Sequence, residues 1–161
     1  MMRCRAIFVT VLLALSAPAC TIAPQTGDTT TVHSDMGGGL GERIREVARM
    51  NRNGEAVRIA GRCVSSCTMY LGVERACVEP DATLEFHAPN TIYGAYPYFS
   101  ITVPIDEAGR RLWAAQWAQH LPAGAIRQRF LDDWSHRKHD TAVKTGAELH
   151  DMDPEGVPLC R

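Results

Sequence analysis

The spacing of hydrophobic positions changes several times along this chain, and the changes outline its elements. Residues 6–15 are a mainly apolar run, too short for an ordinary membrane-spanning helix. Residues 21–30 are rich in Thr, Pro, Gln, Gly and Asp, with little apolar content, which predicts a flexible tether. The run Thr29, Thr30, Thr31, Val32, His33 favours a strand that leads into Gly37, Gly38 and Gly39. Leu40, Ile44, Val47 and Ala48 then recur at helical spacing, with Glu42, Arg43, Arg45 and Glu46 expected outside. Asn53 and Gly54 stop that helix. Residues 55–60 read as a strand with β-branched residues, and residues 66–72 as the first turns of a buried helix. Cys77 falls in a further short strand.

The second half is less regular. Residues 90–103 are aromatic and turn-rich, with Tyr93, Gly94, Tyr96, Pro97, Tyr98 and Phe99. Rings in such a loop either line a groove or pack over the core. Pro104 and the acids after it open a helix whose apolar face is Leu112, Trp113, Trp117 and Leu121. Trp113 and Trp117 read as core or subunit contacts. Pro122 opens another helix, carrying Ile126, Phe130, Leu131 and Trp134. A polar link follows over residues 135–140.

The N-terminus adds an address. Arg3 and Arg5 precede the apolar run, and Ala17-Pro18-Ala19 follows it, the pattern of a secretory signal over residues 1–19. Cys20 stands where lipidation of a processed N-terminus occurs. Of the chain's six cysteines, Cys4 falls within the signal. Acylating Cys20 leaves Cys63, Cys67, Cys77 and Cys160 as an even set; ordinary cleavage before Cys20 is the alternative. The expected organisation is a signal at 1–19, a tether at 20–30 and one domain at 31–161, an ordinary single-domain size. The location expected is the periplasm or cell envelope, with membrane attachment through a lipidated Cys20. A net charge of −1 without a basic cluster argues against nucleic acid as partner.

The densest chemistry is Gly61-Arg62-Cys63-Val64-Ser65-Ser66-Cys67-Thr68. A serine between a strand end and a helix start has an exposed hydroxyl, with unpaired helix N–H groups beside it. The plain alternative is that Ser65 or Ser66 only caps the helix. Glycines at 37–39 let a ligand approach backbone N–H groups, or simply turn the chain into its helix. His87 sits at a strand end before Ala88-Pro89. A histidine there is structural or exposed in most settings; as a side-chain type, imidazole suits a general base near neutral pH.

Taken together, the glycine loop, helix, strand, Gly61-x-x-x-Ser65, helix, strand and His87-x-Pro89 resemble the ClpP/crotonase superfamily. The resemblance is strongest to small exported bacterial proteins of its Clp-type peptidase branch with a C-x-S-x-C-T motif. It runs from about residue 34 to residue 89. It implies an α/β fold with a short, mainly parallel sheet and flanking helices, and an acyl-transfer site acting on a peptide or small acyl substrate. Ser65 would be the nucleophile, His87 the base, and N–H groups near Gly38 and Ser66 the oxyanion hole. The family's third residue falls near Thr141, so Asp140 is the nearest carboxylate, with Asp132 and Asp133 behind it; residues 145–149 would be the short helix that follows that residue. The family's opening strand-helix unit has no room after the tether, which leaves a smaller sheet or one completed in a homo-oligomer. A second function follows from that departure: a non-catalytic envelope protein that keeps the fold for binding or assembly.

The cysteines surround the serine. In an exported chain they favour disulfides, with at least one bond among Cys63, Cys67 and Cys77. Cys63 and Cys67 would share a face on a helix but not easily bridge a strand-to-helix turn. Cys77 is in reach of either, and Cys160 is placed to pin the tail. A zinc site of three cysteines and a histidine is the alternative, although the spacing matches no common pattern. His136, His139 and Asp140 are a weak metal motif. No metal and no cofactor is expected.

Overall fold

The computed structural model describes residues 27–93, 101–103 and 105–161, with backbone alone at 91–93 and 101–103. The signal, Cys20, most of the tether and the aromatic residues Gly94, Tyr96, Pro97, Tyr98 and Phe99 lie outside the described residues.

Three elements form the frame: β1 (Thr29–Asp35), α1 (Leu40–Asn53) and β2 (Ala56–Val64). They make a parallel β-α-β unit, β1 on β2. Gly54 ends α1 in the left-handed conformation at φ 64°, as the Asn-Gly signal predicts. One position on α1 departs from expectation. Arg43 is not outside but 9% exposed, because its guanidinium has partners: it ion-pairs with Asp35 and Glu46 and lies over the Tyr70 ring.

After β2 comes a 3-10 helix, Ser65–Gly72, where the pattern predicts an α-helix. The Thr68 hydroxyl donates to the Ser65 carbonyl at 2.9 Å. That engages an acceptor which an α-helix would use one residue later, and favours the tighter repeat. Strands β3 (Arg75–Val78) and β4 (Thr83–Phe86) share one side of β2, β3 along its first half and β4 along its last residues, both parallel.

A short antiparallel pair, β5 (Thr91–Tyr93) and β6 (Ile101–Val103), stands apart from this sheet. The helices α2 (Glu107–Ala118) and α3 (Ala125–Asp132) follow, and α2 starts at Asp106, whose side chain accepts from the Gly109 N–H. Leu112, expected on the apolar face of α2, is exposed; Ala114, Trp117 and Ala118 carry that face inward. Trp134 is buried in a 3-10 turn after α3.

Strand β7 (Ala142–Thr145) pairs antiparallel with β4, and α4 (Gly146–Met152) follows behind a capping box of Thr145 and Glu148. The result is mixed α/β: a five-stranded, mostly parallel sheet in the order β1-β2-β4-β7, with β3 on β2. Its core packs Ile59, Leu84 and Phe86 of the sheet against Met50, Phe130 and Leu149 of the helices. The Phe86 and Trp134 rings lie 4.4 Å apart. No helix among the described residues is long and apolar enough to cross a membrane.

Candidate active site

Because β2 and β4 run parallel, Val64 pairs with Glu85, so Ser65 and His87 leave the sheet at the same end. Such strand ends are where open α/β sheets gather ligand sites.

Ser65 has φ 58°, alone among the described non-glycine residues in the left-handed region. That conformation disfavours any side chain with a Cβ and persists only where the surroundings enforce it. Three features press on it. The first is a disulfide between Cys63 and Cys67, both fully buried, with Cα atoms 5.3 Å apart. The pattern disfavours this bridge, and the sharp turn at Ser65 is what brings the two cysteines within range. The second is Gly37, at φ 89°. A Cβ there would lie 2.7 Å from the Ser65 Cβ and 2.8 Å from the Val64 carbonyl oxygen, so only glycine lets the loop sit on the turn. The third is Ser66, buried, whose hydroxyl donates to the Gly38 carbonyl at 3.2 Å.

A polar network stands behind the glycine loop. The Gly37 N–H donates to Asp35 Oδ1 at 2.7 Å. Asp35 is held by Arg43 at 2.6 Å, and Arg43 also reaches Glu46 at 2.8 Å. The Tyr70 hydroxyl donates to Glu46 at 2.8 Å. Burial, then this hydrogen bond, push the Tyr70 phenol up to about 12. With the Gly37 N–H engaged, the Gly38 and Gly39 N–H groups are the loop donors without a partner among the described residues. The Ser66 N–H, in the first turn of its helix, has no carbonyl a turn back within that helix.

His87 follows β4. Its Nδ1 lies 2.7 Å from the Ala88 carbonyl. A carbonyl only accepts, so Nδ1 donates here, and in the neutral ring Nε2 is the acceptor. The imidazole meets Trp117 edge-on, with centroids 5.9 Å apart. The Trp117 indole N–H donates to Thr68 Oγ1 at 3.1 Å, and Thr68 in turn donates to the Ser65 carbonyl. Trp117 therefore contacts the histidine directly and the serine turn through one hydroxyl.

The remaining sequence candidates lie elsewhere. Ser65 and His87 are not hydrogen-bonded to each other. Asp140 is exposed and ion-paired with Arg137 at 2.8 Å. Asp133 also binds Arg137, and Asp132 accepts from Gln128. None of the three carboxylates is hydrogen-bonded to His87. Cys77 and Cys160 form the second disulfide, Cα atoms 4.9 Å apart. Both bonds remove their sulfurs from metal ligation, and among the described residues no cluster of three His, Cys, Asp or Glu is arranged for a metal.

Asp35, Arg43, Thr68, Tyr70 and Trp117 are the site's supports that the pattern did not single out. Asp35 had a signal, since Asp two residues before a glycine commonly closes a turn on its own backbone. Thr68 lay inside the serine motif. Arg43 had none, because its burial depends on Tyr70, far along the chain. Comparison with protein-family models and with curated proteins finds no match for this chain.

Proposed function

We propose that the chain is an exported serine hydrolase of peptidase-like acyl-transfer type, with Ser65 as nucleophile and His87 as base. The observation that carries this reading is the backbone of Ser65. A half-exposed serine at φ 58°, enforced by a disulfide and a glycine, is costly and aims its hydroxyl off the strand end. The order of glycine loop, serine turn and histidine also agrees with the resemblance to Clp-type peptidases. In the reaction, Ser65 Oγ attacks the acyl carbonyl and its proton passes to His87 Nε2. The N–H groups of Gly38 and Ser66 receive the oxyanion. The imidazolium then protonates the leaving group, and water repeats the sequence on the acyl-enzyme. The Ala88 carbonyl holds Nδ1–H where the family pattern has an acid, which makes the pair a dyad. The two disulfides support an oxidising, exported location.

A specific observation favours a second reading, an inactive envelope binding protein: Ser65 and His87 share no hydrogen bond, and no carboxylate reaches the ring. A fluorophosphonate probe followed by intact mass decides between them. The hydrolase gains one adduct, loses it entirely in Ser65→Ala, and reacts about 10²-fold or more slowly in His87→Ala. A folded wild type that gains none is the binding protein.

A further inference from the structure

We propose that the outer edge of β7 and the cavity beside it form a docking site for an extended acidic peptide segment, which adds as a further strand. The site is separate from the serine turn and does not depend on its chemistry.

The edge is open for a definable reason. Gly146 donates to the Ala82 carbonyl at 2.8 Å, and this pair continues the register that sets Thr83 opposite Thr145. Bonded and non-bonded pairs alternate along an antiparallel ladder. Lys144 and Ala142 therefore bond to Leu84 and Phe86, while Thr145 and Val143 turn their backbone groups away from β4. Thr145 uses its outward N–H on the Glu148 carboxylate at 2.7 Å. The outward N–H and C=O of Val143 have no partner among the described residues. The Val143 side chain is 51% exposed. An apolar residue with free backbone groups on a sheet edge is a template for strand addition.

The charge around this edge selects the occupant. A cavity of about 340 Å³ adjoins it, walled by Trp134, Met152, Arg129, Arg137, Lys144 and Asp133, with Thr141 and Val143 on the strand side. Arg137 is committed to Asp133 and Asp140, and Lys144 to Glu148. Arg129 has no side-chain partner among the described residues. It is a free, forked cation that pairs bidentately with a carboxylate. The other two cations hold exposed pairs that a bound acid can share, since such pairs are individually weak. The occupant is then a strand whose backbone meets Val143 and whose acidic side chain meets Arg129.

The test uses the full chain and a rhodamine-labelled heptapeptide of alternating valine and glutamate, followed by fluorescence anisotropy. Binding below about 1 mM that weakens with salt is expected. Arg129→Ala should weaken it about tenfold, and so should N-methylation of alternate peptide amides, which removes the edge hydrogen bonds without touching the protein. Val143→Pro deletes an N–H that β4 does not use, so the strand should tolerate it while the peptide is lost. Equal binding of a valine-lysine peptide, no binding of the glutamate peptide, or indifference to N-methylation would overturn the proposal. Displacement by tripolyphosphate with Val143→Pro still binding as wild type would overturn it too, in favour of a simple polyanion site.

Discussion

The two disulfides tie regions of opposite kind. Cys63 and Cys67 are 4 apart in sequence, around a single turn. Cys77 and Cys160 are 83 apart, and their bond fastens the C-terminal tail to β3. The tail is also hydrogen-bonded there: Val78 donates to the Pro158 carbonyl and Cys160 donates to the Val78 carbonyl, each at 3.0 Å. Loop-closure entropy grows with the logarithm of the closed length. It assigns about 2 kcal/mol to the short bond and about 4.5 kcal/mol to the long one. The long bond stabilises the fold as a whole. The short bond contributes less than half as much, yet it lies beneath the one described serine forced into the left-handed region. Stability and site geometry are thus assigned to different cysteines.

The largest expected effect tests the stability side. A Cys77→Ala, Cys160→Ala variant should unfold in urea with about 4–5 kcal/mol less free energy than the wild type. Amide exchange should rise at positions 78 and 160, whose backbone N–H groups make the tail contacts. The serine turn leaves the far end of β2, beyond the Ala56–Ile59 stretch that pairs with β3, and should keep its protection. A loss no larger than that of the short bond would break the comparison.

The next effect is smaller in stability and larger at the site. A Cys63→Ala, Cys67→Ala variant should lose about 2 kcal/mol and stay folded. Ser65 should then relax toward negative φ, read as a change in its backbone N–H to Hα coupling, an observable that needs no activity. If the hydrolase reading holds, probe labelling should fall about a hundredfold from the misplaced hydroxyl. Unchanged coupling at Ser65 would mean that Gly37 and Ser66 hold the turn without the bond.

Much of the frame was legible from pattern, and its limits follow the same division between local and distant causes. β1, α1, the Asn-Gly stop and β2 follow from periodicity and caps, which are properties of neighbouring residues. So does the helical start near Asp106, whereas the one at Thr145 was expected from the resemblance alone. A bond among Cys63, Cys67 and Cys77 was legible, but its pairing was not, because spacing alone cannot reveal that a strained turn folds Cys63 back onto Cys67. The partners of Arg43 were equally hidden: charge placed it outside α1, while Tyr70 and Asp35 draw it in from other elements. The Asp140 expectation rested on register in a resemblance, and the residue's own neighbour Arg137 engages it instead. Trp117 was legible as buried, but not as the ring beside His87.

The smallest effect asks whether the support of the serine turn extends past its disulfide into the network of Asp35, Arg43, Glu46 and Tyr70. Tyr70 reports on it, because its phenol is raised from 10.0 to about 12 by burial first and the hydrogen bond to Glu46 second, against the opposing charge of Arg43. The sign follows from proton binding. Below pH 10 the phenol is protonated in both states and the folded chain keeps this contribution in full. Between pH 10 and about 12 the unfolded chain releases the proton first, so stability falls as pH rises through that window. Urea midpoints measured across it should decline in the wild type and decline less in Tyr70→Phe, which has no phenol to titrate. Ultraviolet titration should show one of the chain's four tyrosines ionising late. Identical slopes in the two proteins, with no late tyrosine, would mean that Tyr70 is not packed against Arg43 and Glu46. The glycine loop would then rest on the Asp35 contact and the disulfide turn alone.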